Sequence, residues 1–192
     1  MTALVGAPPD PIAVYRDDGP LARALGRAAG RALPLPPAAL IAGGLAPLLV
    51  VAVVRGGEVS YAGAGVVLAW LLLTAGASAG APDRARIRWT TPPLMRAAEY
   101  AGLIWIAAVH GASAYPGAFA VIAALTFRHY DLVYRPRHAD RIGAFALGWD
   151  GRLVLGYLLL AAGALPAGFY VMAIVLGAAF VADAVHGLGD DG

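Results

Sequence analysis

Six apolar runs, separated by short polar or Gly/Pro-rich joints, constrain the fold of this chain more than any other feature. The runs cover residues 37–55, 61–80, 94–112, 116–134, 153–167 and 168–188. Roughly 20 mostly apolar residues of α-helix cross a bilayer core. Of the 192 residues, 60% are hydrophobic and only 14% are charged, far fewer charges than a soluble domain carries. We therefore expect an all-α, polytopic membrane helix bundle with about six transmembrane helices.

Residues 1–35 differ from the rest and are predicted to form a cytoplasmic tail and an interfacial amphipathic helix ahead of a transmembrane domain at 36–192. Asp18 as N-cap and Pro20 in the first turn predict where the interfacial helix begins. Its Arg residues recur every four positions and form one stripe, at Arg23, Arg27 and Arg31. Such a stripe is typical of a helix that anchors to anionic lipid headgroups.

The distribution of Arg predicts the orientation in the membrane. All 14 basic residues are Arg, and 13 of them fall in the N-terminal segment or in the second and fourth connections with their adjoining helix ends. Positive charge near short loops is retained on the cytoplasmic side. We therefore predict six passes through the plasma membrane with both termini cytoplasmic. Five passes are the alternative, if Pro166 only kinks one long helix.

The densest polar segment spans residues 127–152. Arg128, Asp131 and Arg135 are spaced three and four residues apart and share one helical face. One interpretation is a self-contained ion-pair network that closes the end of the bundle. The other is a polar pocket, because charges near membrane depth usually face a cavity or a partner, and two Arg beside one Asp suit a phosphate or diphosphate.

Under the second interpretation each side chain has a distinct role. Asp131 would act as a base or a magnesium ligand, and His129 would transfer a proton. The predicted substrate-binding residues are Arg96, Arg128, Tyr134, Arg135, Arg137 and Arg152.

The start of the third apolar run is a second candidate position, because Arg96 and Glu99 lie three residues apart on its first turns. Glu99 is either a buried carboxylate, neutral or paired with Arg96, or a general base or metal ligand. Both polar segments lead to the same membrane face. We hypothesise that this pair meets Arg128 and Asp131 at one mouth of the bundle.

Three other positions have simpler alternatives to a metal site. Asp150 most simply caps the helix that follows it, but it is also, with Asp131, a candidate ligand for a divalent ion. Asp183 and His186 have the i, i+3 spacing of metal ligands, yet two ligands are too few and a polar helix end is favoured. Magnesium is the only cofactor that these residues suggest.

Several motifs are absent, which narrows the possible functions. The sequence contains no GxxxxGK[ST], HExxH or GxSxG, and no GxGxxG ahead of a helix, which excludes soluble nucleotide-binding and hydrolase folds. No nucleic-acid partner is expected. There is no Cys, hence no disulfide or thiolate site. The polar residues cluster at one face instead of crossing the bilayer, which disfavours a transporter.

Four stretches, YRDDGPLAR, PPLMRAAEY, FRHYDLVYR and GWDGR, together resemble an actinobacterial membrane domain of unknown function. That domain accompanies, or is fused to, nucleotidyltransferase and CDP-alcohol phosphotransferase modules, and the resemblance covers most of the chain. The expected architecture is also similar to that of CDP-alcohol phosphotransferases. Their DxxDGxxAR and GxxxDxxxD motif is missing, and the corresponding region reads LLLTAGASAGAPDRARIRW. Their two-metal mechanism therefore cannot be carried over.

These observations lead to one expected function and two alternatives. We expect a membrane-embedded transferase of lipid or isoprenoid metabolism that acts on a phosphate- or diphosphate-bearing substrate at the cytoplasmic face. The partners would be membrane lipids and a phosphorylated lipid or isoprenoid. A noncatalytic anchor or scaffold for a partner transferase is the first alternative, and a small transporter is the second. Gly-rich stretches at 42–45 and 63–65 allow close helix packing or a homodimer.

Overall fold

The structure is a computed structural model that describes residues 13–55, 59–81, 88–134 and 146–189. Within these ranges the chain forms helices and short turns, with no strand, which confirms the all-α prediction. The α-helices of the described ranges are α1 (Pro20–Ala29), α2 (Pro37–Arg55), α3 (Tyr61–Ala77), α4 (Thr91–His110), α5 (Tyr115–Tyr134), α6 (Gly148–Ala161) and α7 (Leu165–Gly189).

Helices α2 to α7 correspond to the six apolar runs of the sequence. The bounds of α2 to α5 lie within three residues of the predicted ones. Helix α6 begins at Gly148 instead of residue 153, because Trp149, Asp150 and Arg152 are all buried in contact with other elements. Helix α6 also ends earlier than predicted, at Ala161 instead of residue 167. Apolar periodicity therefore located the helices, and tertiary contacts shifted the start of one of them.

Three helices of the described ranges are long and apolar enough to cross a membrane. The segments are Pro37–Val54 in α2, Tyr61–Gly80 in α3 with the turn that follows it, and Leu165–Val185 in α7. Helices α4 and α5 each have 20 residues but contain buried charges, and α6 has only 14 residues. Length and composition thus support membrane association through α2, α3 and α7.

A tight turn separates α6 from α7. Gly163 has a φ of 68°, a left-handed conformation that glycine adopts without steric cost. After this turn the chain doubles back, so that Phe169 packs against Gly156 and Gly168 lies against Leu159. The alternative of one long helix kinked at Pro166 is therefore wrong, and the two apolar runs form a helical hairpin.

Helix α4 occupies the middle of the bundle and contacts α2, α3, α5 and α6, while α5 packs most extensively against α7. Neighbouring helices in sequence run in opposite directions. As a result, the ends of α3, α5 and α7 lie beside the starts of α4 and α6. We call this end of the bundle the polar end, because the buried charged side chains of the described residues lie there.

Helix α1 packs across the polar end, against α3, α6 and the short helical turn Ser78–Gly80. Its N-cap residue is Gly19, with Pro20 at the first helical position. The predicted N-cap, Asp18, is not the cap, because its carboxylate binds Arg16 and Trp149 instead. A helix therefore forms where the interfacial helix was predicted, but its start is stabilised from elsewhere in the chain.

Candidate functional site

Asp150, in the first turn of α6, caps the N-terminus of α1. Its Oδ1 accepts a hydrogen bond from the Gly19 amide (2.6 Å), and its Oδ2 accepts from the amides of Leu21 (2.9 Å) and Ala22 (3.1 Å). Amides at a helix start lack partners in their own helix and attract an acidic side chain. Asp150 was predicted to cap its own helix, and it caps another one. Both of its carboxylate oxygens are occupied, so the geometry gives no support to the predicted metal role.

Replacing Asp150 with Ala is expected to lower the free energy of unfolding by about 2 kcal/mol, the upper end for loss of a helix cap, because the lost acceptor is charged and buried. The measurement is unfolding of the purified protein in detergent, followed by circular dichroism. Asp150→Asn keeps one acceptor oxygen and should lose less stability. An Ala variant as stable as the parent protein would contradict the capping role.

The residues that precede α1 bind the start of α6 in return. The Asp17 carbonyl accepts a hydrogen bond from the Trp149 amide (3.1 Å), and the Asp18 carboxylate accepts from the Trp149 indole (2.9 Å). Arg16 bonds both to Asp18 (2.7 Å) and to Ser78 at the end of α3 (2.8 Å). Residues 16–19, which we call the N-terminal clasp, therefore tie α1, α3 and α6 together.

Arg152 lies at the centre of the polar end and is 0% exposed. Its Nε donates to Glu99 Oε1 (2.6 Å), its Nη2 to Asp17 Oδ2 (2.6 Å) and its Nη1 to the Ala146 carbonyl (2.8 Å). Each guanidinium nitrogen thus has a partner inside the protein. Arg152 was predicted to bind substrate, and the structure instead gives it a structural role that joins α4, α6 and the N-terminal clasp.

Arg128 forms a second buried ion pair, between α5 and α7. Its Nη1 lies 2.8 Å from Asp183 Oδ2 and 3.9 Å from Asp131 Oδ2. The guanidinium also lies over the Phe180 ring, 5.7 Å from its centroid. The predicted proximity of Arg128 and Asp131 on one helical face is confirmed. Asp183, considered above as a metal ligand, is the closer partner of Arg128, and the side chain of His186 lies outside the described part of the chain.

Glu99, His129 and Arg96 form a cluster between α4 and α5. Five buried side-chain atoms of the described residues have no hydrogen-bond partner, and three of them belong to this cluster: Glu99 Oε2, His129 Nε2 and Arg96 Nη1. The first two lie 3.8 Å apart. Arg96 lies three residues before Glu99 on the same helix, α4. We call these three residues the open cluster, because each has capacity for one more hydrogen bond.

The remaining atoms of the open cluster are held by the surrounding structure. His129 Nδ1 shares a hydrogen bond with the Tyr100 hydroxyl (2.7 Å), and Arg152 binds the other oxygen of Glu99 (2.6 Å). Arg96 Nη2 donates to the Tyr15 carbonyl. Side chains oriented in this way by neighbours are typical of groups that act on a bound molecule.

The hypothesis that Arg96 and Glu99 meet Arg128 and Asp131 is only partly correct. The two helices do meet, but through His129 on α5, which lies next to Arg128 and faces Glu99. Arg128 turns instead toward α7. A charge exchange between Glu99 and Arg128 would therefore not restore a native pair.

Of the remaining predicted site residues, only Tyr134 lies in the described part of the chain. Tyr134, at the end of α5, is 67% exposed and packs against Tyr130 with ring centroids 4.4 Å apart. Arg135 and Arg137 lie outside the described residues. No group of three or more metal-binding side chains occurs in the described ranges, so the magnesium site predicted at Asp131 and Asp150 gains no support.

Sequence reasoning missed Asp17, Asp18 and Tyr100. Asp18 was predicted only as a helix N-cap and Asp17 was given no role, although two adjacent acidic residues ahead of Gly19-Pro20 were a sign of a more specific contact. Tyr100 follows Glu99 directly and gave no separate signal. Each of the three has a hydrogen-bond partner at least 29 positions away in the sequence.

Comparison with known proteins identifies the family but not an activity. Residues 10–187 match a family described as a family of unknown function (DUF5941). The match covers nearly the whole chain, so the chain belongs to this family. No curated protein and no solved structure matches it.

Proposed function

We propose that this member of the family is a membrane-embedded transferase of lipid or isoprenoid metabolism. It acts on a phosphate- or diphosphate-bearing substrate at the cytoplasmic face. In this proposal α2 to α7 all cross the membrane, both termini are cytoplasmic, and the polar end is the cytoplasmic one. The Arg distribution supports this orientation.

The gap between Glu99 Oε2 and His129 Nε2 is the observation that carries the proposal. At 3.8 Å the two atoms are too far apart for a direct hydrogen bond, yet both are buried and lack any other partner among the described residues. An oxygen placed beside the gap could bond to both. A carboxylate and an imidazole that face one bound oxygen are suited to general acid–base catalysis.

The proposed reaction assigns one role to each member of the open cluster. The Glu99–His129 pair takes the proton of an acceptor hydroxyl while its oxygen forms a bond to phosphorus. The bond from phosphorus to the leaving group breaks, and the leaving group keeps the electron pair. Arg96 Nη1 contacts a phosphate oxygen. The involvement of magnesium stays a prediction, which the dependence of turnover on added Mg²⁺ and on chelator would test.

Replacing His129 with Gln is expected to lower transfer about 100-fold, the lower range for loss of a general acid–base group. The first measurement compares all lipids of a deletion strain with those of the parent strain, to identify the missing product. Turnover of the corresponding phosphate-bearing substrate by purified variants follows. The matched control is His110→Gln, because His110 lies at the opposite end of the bundle and its ring faces Ser113.

Equal lipid profiles in the deletion and parent strains would refute the transferase proposal. So would a His129 variant with the turnover of the His110 control. The comparison requires that the two variants fold in equal yield. Size-exclusion chromatography of the detergent-extracted protein measures these yields.

A noncatalytic scaffold is the second candidate function. The favouring observation is that Arg16, Arg128 and Arg152 have carboxylate partners inside the protein, as expected of a self-contained end of a bundle. The proposed partner is a nucleotidyltransferase or CDP-alcohol phosphotransferase module. This candidate predicts that His129→Gln leaves product levels unchanged in cells, whereas loss of the whole chain reduces the partner's membrane-bound fraction.

A further inference from the structure

Helix α1 and the short helical turn that follows it, Gly30–Ala32, present three Arg side chains that have no partner among the described residues. Arg23, Arg27 and Arg31 are all exposed. The other Arg residues considered above, at 16, 96, 128 and 152, all bond to protein atoms. The free cations of the described polar end are therefore concentrated on α1 and the turn that follows it, away from the open cluster.

The opposite side of α1 fixes this stripe in one orientation. Ala22, Gly26 and Gly30 are buried and recur every four residues. A Cβ at Gly26 would lie 2.7 Å from the Gly80 amide nitrogen and 2.9 Å from Ala79 atoms, so only glycine allows this close approach. Together with the cap from Asp150, this contact prevents α1 from rotating, and the Arg stripe projects outward at a fixed angle.

The exposed surface of α1 has two unlike halves. At 100° per residue, Arg23 and Arg27 occupy one half of the exposed arc of α1, and Arg31 follows them in the turn Gly30–Ala32. Leu21, Ala24 and Ala28 occupy the other half and are also exposed. A helix with adjacent cationic and apolar exposed stripes is suited to lie in the plane of a membrane interface, with its apolar stripe toward the acyl chains.

This division favours membrane lipid over a soluble anion or an acidic protein. The three Arg residues suit phosphate oxygens, and a soluble phosphate would satisfy them without any apolar neighbour. With such a ligand, Leu21 and the two Ala residues would stay exposed to water. At a bilayer surface, the Arg half of the exposed arc contacts headgroup phosphates and the apolar half contacts acyl chains.

We propose that α1 is a binding surface for anionic phospholipid headgroups, with Arg23, Arg27 and Arg31 as the headgroup contacts and Leu21, Ala24 and Ala28 toward the acyl region. The proposal is independent of any catalytic activity. It gives α1 a defined depth in the membrane, and through the clasp and Asp150 it sets the depth of α6.

The test reconstitutes the full chain in nanodiscs of mixed phosphatidylglycerol and phosphatidylcholine and measures which lipid is retained on gentle extraction, by mass spectrometry. The parent protein should retain phosphatidylglycerol preferentially. Each Arg near an anionic surface contributes about 1 kcal/mol, or about fivefold. The phosphatidylglycerol enrichment of the triple variant R23Q/R27Q/R31Q should therefore be more than tenfold lower than that of the parent.

The matched control is R23K/R27K/R31K, which keeps the charges and should keep most of the enrichment. Because the substituted side chains are exposed, both variants should retain the helix content and melting temperature of the parent. Unchanged enrichment in the Gln variant would overturn the proposal. Displacement of the lipid by excess inorganic phosphate would overturn it as well, since the surface would then bind a soluble anion.

Discussion

Replacing Arg152 with Gln is expected to lower the free energy of unfolding by about 3–5 kcal/mol, the range for a buried ion pair that loses one partner. The Glu99 carboxylate is fully buried and would lose the guanidinium that neutralises its charge. Asp17, which belongs to the N-terminal clasp, would lose its ion-pair partner. The measurement is unfolding of purified protein in detergent mixtures of increasing denaturing strength.

Two variants distinguish this effect from a general intolerance of substitution. Arg23→Gln removes an exposed Arg and should change stability by less than about 0.5 kcal/mol. The double variant E99Q/R152Q removes both charges and should lose less stability than the sum of the single variants. An Arg152 variant that is as stable as the Arg23 variant would show that the central position of Arg152 has no energetic importance.

Replacing Arg128 with Gln is the second large expected effect, about 3 kcal/mol, again because a buried carboxylate loses its counter-charge. The Asp183 side chain is only 4% exposed, and Asp131 lies close to the same guanidinium nitrogen. This pair connects α5 to α7, the two helices with the most extensive contact. Its loss is therefore expected to loosen the end of that helix pair, which proteolysis of the detergent-solubilised protein would detect.

A double-mutant cycle with Asp183→Asn isolates the interaction of Arg128 with Asp183. We expect a coupling energy within about 0.5–3 kcal/mol, the range for contacting residues. Additive effects of the two substitutions would contradict a direct pair. The same cycle between Arg128 and Glu99 serves as the control, because Glu99 pairs with Arg152 and not with Arg128.

Among the sequence predictions, the anion-binding cluster of Arg residues differs most from the structure. The sequence favoured Arg128 and Arg152 as substrate ligands, and Arg128 in particular because Arg128 and Arg135 flank one Asp and leave positive charge. In the structure, both side chains are neutralised by acids from other segments, Asp183, Glu99 and Asp17. Positive charge available to a ligand is therefore found at Arg96 in the open cluster and on the surface of α1.

What the sequence determined by itself was the set of helices and the location of the polar residues along them. Apolar runs of helical length predict α2 to α5 closely, because the cost of exposing apolar side chains acts locally on each segment. The helical period also placed Arg23, Arg27 and Arg31 in one stripe, and Arg128 near Asp131, because three- and four-residue spacings always share a helical face.

Only the tertiary structure decided which charges neutralise one another and which remain available. Asp150 caps α1 across 128 to 131 positions of sequence, and Arg152 reaches Glu99 across 53 and Asp17 across 135. A buried charge requires a partner within a few ångströms, and any acid that the packing brings close can supply it. Helical spacing shows which residues share a face, but the packing of the helices determines what that face meets. For this reason the sequence located the polar end, and the structure was needed to separate the open cluster from the paired charges around it.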